Sequence, residues 1–438
     1  RSRSTSLQAS RARKVPCHVA ERRLKAGVAG LGLGAARIVR EMELSPSFDL
    51  YAAADNDPDA RQRFHSVFPD ARVYETVEQL AADPEVEAVW LSTPNRLHAE
   101  HTRILADAGK HIMVQKPMSV TLKDAELMCE AADRNHVKLL TGHSQAYSTW
   151  VRLARQIVRS GELGRLCAIN VLAYNGWLMS TRKLEDLDPS EGGGIVYRNA
   201  PHQIDCIRLI GGGMLKTVRG TAARWMAERP YPGYYAAYME FTDGTPAVAI
   251  QNSFGYFNAQ EMIPDGATPR QNKSAKTGTI RKALRDGTRN ETAEYQKLGI
   301  GRPQDFGAAA LDPQGGWLGA WYADDLGIAL ISCERGDIRQ SPNGIFVYDD
   351  GGVREYRIAR GASPSTWYLQ LCELYNVVVL GQKDFHNGRW GMATLEAALA
   401  IAQSAKTRAE VELTHQVEMG DGYDAAYAVQ PEEIVQLA

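Results

Sequence analysis

Apolar and polar positions change period several times along this chain, and the changes mark out its elements. Short apolar runs recur in the first third: Lys25 to Gly30, Phe48 to Ala54, Val86 to Leu91, His111 to Val114 and Lys138 to Thr141. Each has strand length, and runs so continuously apolar belong in a sheet covered on both faces. Helical spacing fills the gaps. Arg37 to Met42 has helical character, Thr76 to Ala82 opens with a Thr-x-x-Gln capping box, and His98 to Ala108 continues the series. Thr121 to Ala132 then sets Leu122, Ala125, Met128, Cys129 and Ala132 on one face. This alternation predicts an α/β fold with a doubly wound parallel sheet, whose ligands sit at the carboxyl ends of the strands. Gly30, Asp55, Thr93, Gln115 and His143 all fall at such ends.

Past residue 148 the pattern changes. Thr149 to Arg159 reads as a helix, whereas Leu166 to Ala173, Val218 to Trp225, Tyr234 to Phe241 and Pro246 to Phe254 read as strands, with a hairpin turn at Asp243-Gly244. Ile204, Ile207 and Ile210 recur at helical spacing behind Pro201, and Gly211 to Gly213 ends that helix. From Asn258 to Gln314 the periodicity is lost among Gly, Pro and basic residues, which predicts a lid, an oligomer contact or a solvated insertion, the last two preferred. Met392 to Lys406 predicts a closing helix, and from about Gly420 the chain reads as a loose tail. The resulting division is a disordered basic tail (1–24), a first α/β domain (25–147) and a second domain (148–438) with an insertion around 258–314.

Composition limits the class. Of 438 residues, 44% are hydrophobic and 23% charged, which excludes collagen-like, coiled-coil and wholly disordered chains. No apolar run is long enough to span a bilayer, and a net charge of −2 gives no reason to expect a nucleic-acid partner. A cytoplasmic protein with neither membrane nor nucleic-acid partner is expected. The basic residues are unevenly placed: the first 25 residues hold eight Arg or Lys and one Glu. That composition suits a transit peptide, but no amphipathic period accompanies it, so the tail is set apart from the fold. The six cysteines form no C-x-x-C pair, which predicts reduced thiols and no metal site. His98 and His101 stand three apart with no evident third ligand.

The run Gly30-Leu-Gly32-Leu33-Gly34-Ala35 is G-x-G-x-x-A, placed directly after a strand and opening a helix. Gly30 permits the tight turn, Gly32 lets backbone approach a pyrophosphate, and Ala35 keeps helix and strand close. The helix start at Leu33 and Gly34 presents free N–H groups to phosphate charge. Asp55, 20 residues beyond Ala35, stands where an acid meets the adenosine ribose hydroxyls. A carboxylate there favours NAD over NADP, a preference that Arg61 and Arg63 downstream would soften.

Thr93-Pro94-Asn95-x-x-His98, then Lys116-Pro117, then the run from Gly192 through Arg198-Asn199-Ala-Pro-His202 to Asp205 resemble the signatures of the Gfo/Idh/MocA oxidoreductases. The resemblance covers nearly the whole chain from residue 25. It implies a Rossmann domain followed by an α/β domain with an open, mostly antiparallel sheet that carries the substrate face and joins subunits into a homodimer or homotetramer. It places Thr93, Pro94, Asn95, His98, Gln115 and Lys116 around the cofactor. Two departures stand out: Gln115 replaces the family's usual Glu, and Arg198 replaces its usual Asp. Within the family the chain is most similar to the phthalate 4,5-cis-dihydrodiol dehydrogenases, through Gln115-Lys-Pro-Met-Ser, the Arg198 to Gln203 run and Glu228-Arg-Pro-Tyr-Pro-Gly-Tyr-Tyr.

These residues suggest a division of labour. Lys116 takes the hydroxyl proton of an alcohol lying against the nicotinamide, and Gln115 removes an anion that would favour the ammonium. His202, in the first turn of a helix, is expected neutral and able to relay a proton. Asp205 either orients it or caps the helix. Arg198 offers a bidentate fork to a carboxylate, unless a nearby acid such as Asp205 neutralises it. Asn199, Asp205, His143 and Trp177 are expected to line the pocket with it. The expected substrate is a small anion, a carboxylated cis-dihydrodiol whose oxidation ends in an aromatic catechol. Alternatives on the same scaffold are a sugar or cyclitol dehydrogenase, an NAD-retaining glycosidase and a cofactor-sensing regulator.

Overall fold

The computed structural model describes residues 22–262, 273–297, 326–359 and 364–437. Strands β1 (Leu24–Ala29), β2 (Phe48–Ala54), β3 (Arg72–Tyr74), β4 (Ala88–Leu91), β5 (His111–Gln115) and β6 (Leu139–Gly142) form one parallel sheet in the order β3-β2-β1-β4-β5-β6. Every residue of β4 and β6 is buried, as a sheet covered on both faces requires. The predicted caps form: Thr76 accepts the Gln79 N–H and Thr121 accepts the Asp124 N–H. The strand order reverses between β1 and β4, which opens the crevice where such sheets bind their ligands. β1 begins at Leu24, inside the predicted tail, and Arg22 pairs with Glu87 at 2.7 Å; residues 1–21 lie outside the described residues.

The second sheet is predominantly antiparallel, as predicted, and larger than the four predicted strands. It comprises β7 (Leu166–Tyr174), β8 (Leu215–Ala223), β9 (Tyr234–Phe241), β10 (Pro246–Asn252), β11 (Ile328–Cys333), β12 (Gly336–Ser341), β13 (Gly344–Asp349), β14 (Gly352–Ile358), β15 (Val411–Glu412) and β16 (Ile434–Leu437). Their order is β15-β8-β9-β10-β7-β11-β12-β13-β14-β16, and only β7 and β10 pair in parallel.

The C-terminal part serves both domains. Helix Thr366–Val378 sends Leu371, Leu374 and Tyr375 into the core of the first sheet. Helix Gly388–Thr407 places Leu395 in the first domain's core and Ala397 and Ile401 in the second's. At Gly391 a Cβ would lie 2.1 Å from Thr141 Oγ1, so this helix approaches β6 as closely as backbone allows.

Three expectations change. The predicted loose tail is packed: Tyr423 and Tyr427 are buried, Glu433 pairs with buried Arg152 at 2.6 Å, and β16 pairs with β14. Within the predicted insertion, residues 273–297 hold helices Lys273–Arg285 and Glu291–Tyr295, while 263–272 and 298–314 lie outside the described residues. Cys129, Cys167, Cys206 and Cys333 are free, but Cys372 is disulfide-bonded. A half-cystine and a buried thiol are equally at home in a core, so composition does not separate them. Among the described residues no helix is long and apolar enough to cross a membrane.

Candidate active site

The glycine turn after β1 has the shape its motif predicts. Gly30 holds φ at +88°, and a Cβ there would meet the Ser92 carbonyl oxygen at 2.7 Å. Ser92 Oγ in turn donates to the Gly30 carbonyl at 2.8 Å, locking the β1 and β4 ends together. At Gly32, directly before helix Leu33–Leu44, a Cβ would meet nothing within 4 Å. At Gly34 a Cβ would stand in ordinary contact with Ser92 and Gln115, and Ala35 is fully buried. The Asp55 carboxylate accepts the Leu31 N–H at 2.7 Å on one oxygen and the Asp57 N–H at 2.8 Å on the other. Arg61 donates to the Asp55 carbonyl at 2.7 Å, and Arg63 lies 3.9 Å from Asp57.

Around the ends of β4 and β5 the predicted residues divide. Pro94 is exposed, and Thr93 Oγ1 bonds His101 Nδ1 at 2.9 Å. Asn95 is buried, and its amide donates to the Gly192 carbonyl at 2.8 Å, fastening the first domain to the second. His98, expected beside the cofactor, is wholly buried, with its ring nitrogens 2.8 Å from the Thr93 carbonyl and 3.1 Å from the Pro117 carbonyl. Burial lowers its pKa to about 4, so the neutral ring donates to one carbonyl and braces the two loops. Gln115 Oε1 accepts the N–H of Lys116 at 2.9 Å.

Lys116, His143 and His202 converge from the ends of β5 and β6 and from helix Ala200–Gly211. Lys116 Nζ donates to the Arg198 carbonyl at 2.6 Å, which sets the amine against the second domain. His202 lies in the first turn behind Pro201 and is 6% exposed. Burial, then the charge of Lys116, then His143, hold its pKa well below 6.5, as a proton relay needs. His143 is buried, and desolvation lowers its pKa to about 4. Among the described residues, His143 through both ring nitrogens, His202 through Nδ1 and Asn199 through Oδ1 have no hydrogen-bond partner.

The remaining predicted contacts are placed differently. Asp205 is fully buried and accepts Trp390 Nε1–H at 2.6 Å and Thr394 Oγ1–H at 3.3 Å. It ties helix Ala200–Gly211 to helix Gly388–Thr407. Arg198 pairs with Asp186, not with Asp205, and remains about one-third exposed at 31%. Trp177 is almost buried, its face covered by the Arg182 guanidinium at 4.4 Å.

Sequence reasoning missed one wall. Arg289, inside the predicted insertion, donates to the Met179 carbonyl at 2.8 Å and to Thr181 Oγ1 at 2.9 Å, while Arg229 holds Glu291 at 2.6 Å. Tyr295 lies under the charges of Asp186, Arg198 and Arg182, its pKa raised first by burial. The segment therefore packs along the loop that carries Trp177 and Asp186. The Asn290 cap of helix Glu291–Tyr295, followed by Glu291 and Glu294 in the first turn, was the available signal.

Residues 24–143 match the family described as the Gfo/Idh/MocA oxidoreductases with an NAD-binding Rossmann fold, and residues 151–262 match its C-terminal domain. A 1-carboxy-3-chloro-3,4-dihydroxycyclohexa-1,5-diene dehydrogenase of Comamonas testosteroni is 30% identical over 389 residues, spanning 87% of this chain and 95% of that protein. The chain belongs to the Gfo/Idh/MocA oxidoreductase family. A solved structure from Bordetella bronchiseptica RB50, provisionally named a dehydrogenase, superposes with a TM-score of 0.79 at 31% identity, over 89% of this chain and all of that one. The NADP-dependent scyllo-inositol 2-dehydrogenase of Bacillus subtilis is 28% identical over 182 residues, 42% of this chain and half of that protein.

As a Gfo/Idh/MocA protein the chain binds NAD, and its residues fit that cofactor. The open space before Gly32 leaves room for the pyrophosphate against the start of helix Leu33–Leu44. Each Asp55 oxygen spends one hydrogen bond on the turn and keeps lone-pair capacity for a ribose hydroxyl. Gln115, Thr93 and Lys116 stand at the neighbouring strand ends.

Proposed function

We propose that this enzyme oxidises a carboxylated cyclic cis-dihydrodiol to a catechol, with NAD preferred over NADP because of Asp55. Phthalate 4,5-cis-dihydrodiol, yielding 4,5-dihydroxyphthalate, is the specific substrate to try first. The observation that carries this reading is Arg198: its carbonyl takes the Lys116 amine, so one residue joins the base to a partly exposed guanidinium. The Comamonas relative, named for a dihydrodiol with one ring carboxylate, supports it.

NAD, held at the Gly30 to Ala35 turn and by Asp55, would supply the acceptor for the hydride leaving the carbinol carbon. Lys116 takes the hydroxyl proton, and neutral His202 accepts or passes it on. The resulting enone loses its ring proton and gains one on oxygen, and aromatisation draws the reaction forward. His98 and Asn95 hold the strand-end loops and the domain junction so that amine and substrate meet in one geometry.

One observation favours a second reading. Asp186 already neutralises Arg198, and a site without net positive charge suits a sugar or cyclitol. Both are tested by following NADH formation with cis-diols bearing zero, one or two ring carboxylates, alongside inositols. Arg198→Ala is expected to raise KM for the carboxylated diols by roughly 10- to 100-fold, the worth of a charge-assisted contact, and to spare the uncharged ones. Turnover confined to inositols, unaffected by Arg198→Ala, rejects the dihydrodiol assignment. Glycoside cleavage without net NADH release identifies the NAD-retaining glycosidase.

A further inference from the structure

Arg198 ends the short helix Gly194–Arg198, and Asp186 meets it from the loop just before that helix. Arg198 Nη2 donates to Asp186 Oδ1, with the two side chains 31% and 21% exposed. Backbone fixes where the acid stands. The Asp186 N–H donates to the Lys183 carbonyl at 3.1 Å, and Asp186 Oδ2 accepts the Lys183 N–H at 3.3 Å. At Gly193, directly before the helix, a Cβ would lie 2.7 Å from the Asp186 carbonyl oxygen and closer still to that of Glu185. Loop and helix therefore touch backbone to backbone, and only glycine fits between them. From its other end the loop is held by Arg289 through Met179 and Thr181. Asp186 is thus a built-in counter-ion, held opposite Arg198 by main chain on both sides.

The pair leaves the guanidinium only partly used. A guanidinium carries five donors. Asp186 takes one at Nη2, and the buried Nε has no partner among the described residues. Donors therefore remain for a further carboxylate, but that carboxylate also meets the charge of Asp186. The other cations of the loop are laid over rings, Arg182 at 4.4 Å from Trp177 and Lys183 at 4.9 Å from Tyr295. Glu185 and Asp188, on either side of Asp186, line a cavity of about 510 Å³ together with Glu191, Arg96 and Tyr231. Arg96 is paired with Glu191 at 2.9 Å, so acids of this loop dominate the charge there.

We propose that Asp186 is a positioning residue for Arg198 and sets the enzyme's preference among substrates with zero, one or two carboxylates. It holds the guanidinium in place, and its own charge works against each carboxylate that the guanidinium attracts. Selectivity is a difference of affinities, and a built-in repulsive element adjusts it as surely as an attractive one. A neutral diol feels neither charge strongly, so only the carboxylated members of a series respond to Asp186. This rests on Arg198 meeting a substrate carboxylate, so the experiment carries separate arms for the two residues and needs no turnover.

Catechol, 3,4-dihydroxybenzoate and 4,5-dihydroxyphthalate carry zero, one and two ring carboxylates. Each is titrated against NADH-loaded enzyme, with the fluorescence of bound NADH as the readout. Asp186→Asn is expected to leave the Kd of catechol in place, to lower that of the monoacid about fivefold and to lower that of the diacid further. Asp186→Glu keeps the charge and should restore the order seen in the parent. A purely structural role shifts all three ligands alike; a uniform shift, or none, in folded Asp186→Asn overturns the proposal. Should that variant not fold, Asp186→Ser still offers the Lys183 N–H an acceptor and is judged by the same Kd ratios. Arg198→Ala supplies the other arm. If it fails to weaken the two acids relative to catechol, the carboxylate-anchor reading falls and this proposal with it. If it weakens them while Asp186→Asn moves nothing, that reading stands and the role given to Asp186 alone is rejected.

Discussion

Gly30 and Gly32 do different work two residues apart. Gly30 combines positive φ with a backbone neighbour 2.7 Å from any added Cβ, whereas Gly32 has ordinary φ and open space ahead of it. Gly30→Ala is therefore expected to lower stability by at least about 1–2 kcal/mol, the cost of a left-handed non-glycine residue, before the clash is counted. Gly32→Ala should unfold in urea like the parent and bind NAD tenfold or more weakly, because the methyl fills the pyrophosphate's approach. Urea unfolding and NAD titration of both variants check the contrast; equal stability losses would dismiss it. At this scale the sequence was informative wherever chemistry restricts the residue: the glycine turn, Asp55, Lys116 and His202 lie where spacing put them. It did not show that His98 and Asp205 would be fully buried. Helical spacing locates a residue along the helix but does not say whether a neighbour covers it, and Trp390, which holds Asp205, is 185 residues away.

Elements of the first domain were legible because buried parallel strands are nearly pure apolar runs and helix starts carry caps. The second domain hid more. Strands β12 and β14 interleave Gly, Asp, Arg and Glu with their apolar positions, whereas β11 and β13 are short apolar runs that the sequence reading passed over. The C-terminal segment was read as loose because its elements have three or four residues and its anchors are charged or aromatic: Tyr423, Tyr427 and Glu433, whose partner Arg152 lies far back in the chain. That pair is 3% and 7% exposed, and a buried pair that loses one member leaves an uncompensated charge. Glu433→Gln is expected to cost about 3–5 kcal/mol in urea unfolding, and a loss under 1 kcal/mol would return the segment to the role of a loose tail. The insertion yields a milder expectation. Arg289→Ala removes the bonds to Met179 and Thr181, so proteolysis should quicken in the 177–183 loop and substrate KM should rise, while KM for NAD stays constant.

The molecule as a whole depends on histidines buried at its domain junction and kept neutral. His98 and His143 titrate near pH 4 in the fold against 6.5 when unfolded, and His202 is pushed down more strongly still, in each case chiefly by burial. As pH falls below 6.5 the unfolded chain takes up these protons first, so stability declines from 6.5, and the share of His98 and His143 levels off below about 4. A drop from 6.5 to about 4 corresponds to about 3 kcal/mol per ring, an upper figure because the unfolded chain is never fully hydrated. Two groups act differently. His386, with its pKa raised, stabilises below 6.5 and loses that contribution as pH rises through its folded value. Glu373, lowered from 4.5 to about 2, stabilises above 4.5 and loses that contribution as pH falls toward 2. Between pH 6.5 and 4 the three neutral rings outnumber the one fully buried charged ring, so the urea midpoint should fall steadily across that window. His143→Gln removes one of the three without adding charge, and its midpoint should fall less steeply there. Because Lys116 donates to the Arg198 carbonyl of the second domain, protonation that loosens the junction should weaken turnover before it unfolds the chain. Stopped assays and urea midpoints measured at matched pH values separate the two; a midpoint level from pH 6.5 to 4 in the wild type would show that these rings are not buried neutral.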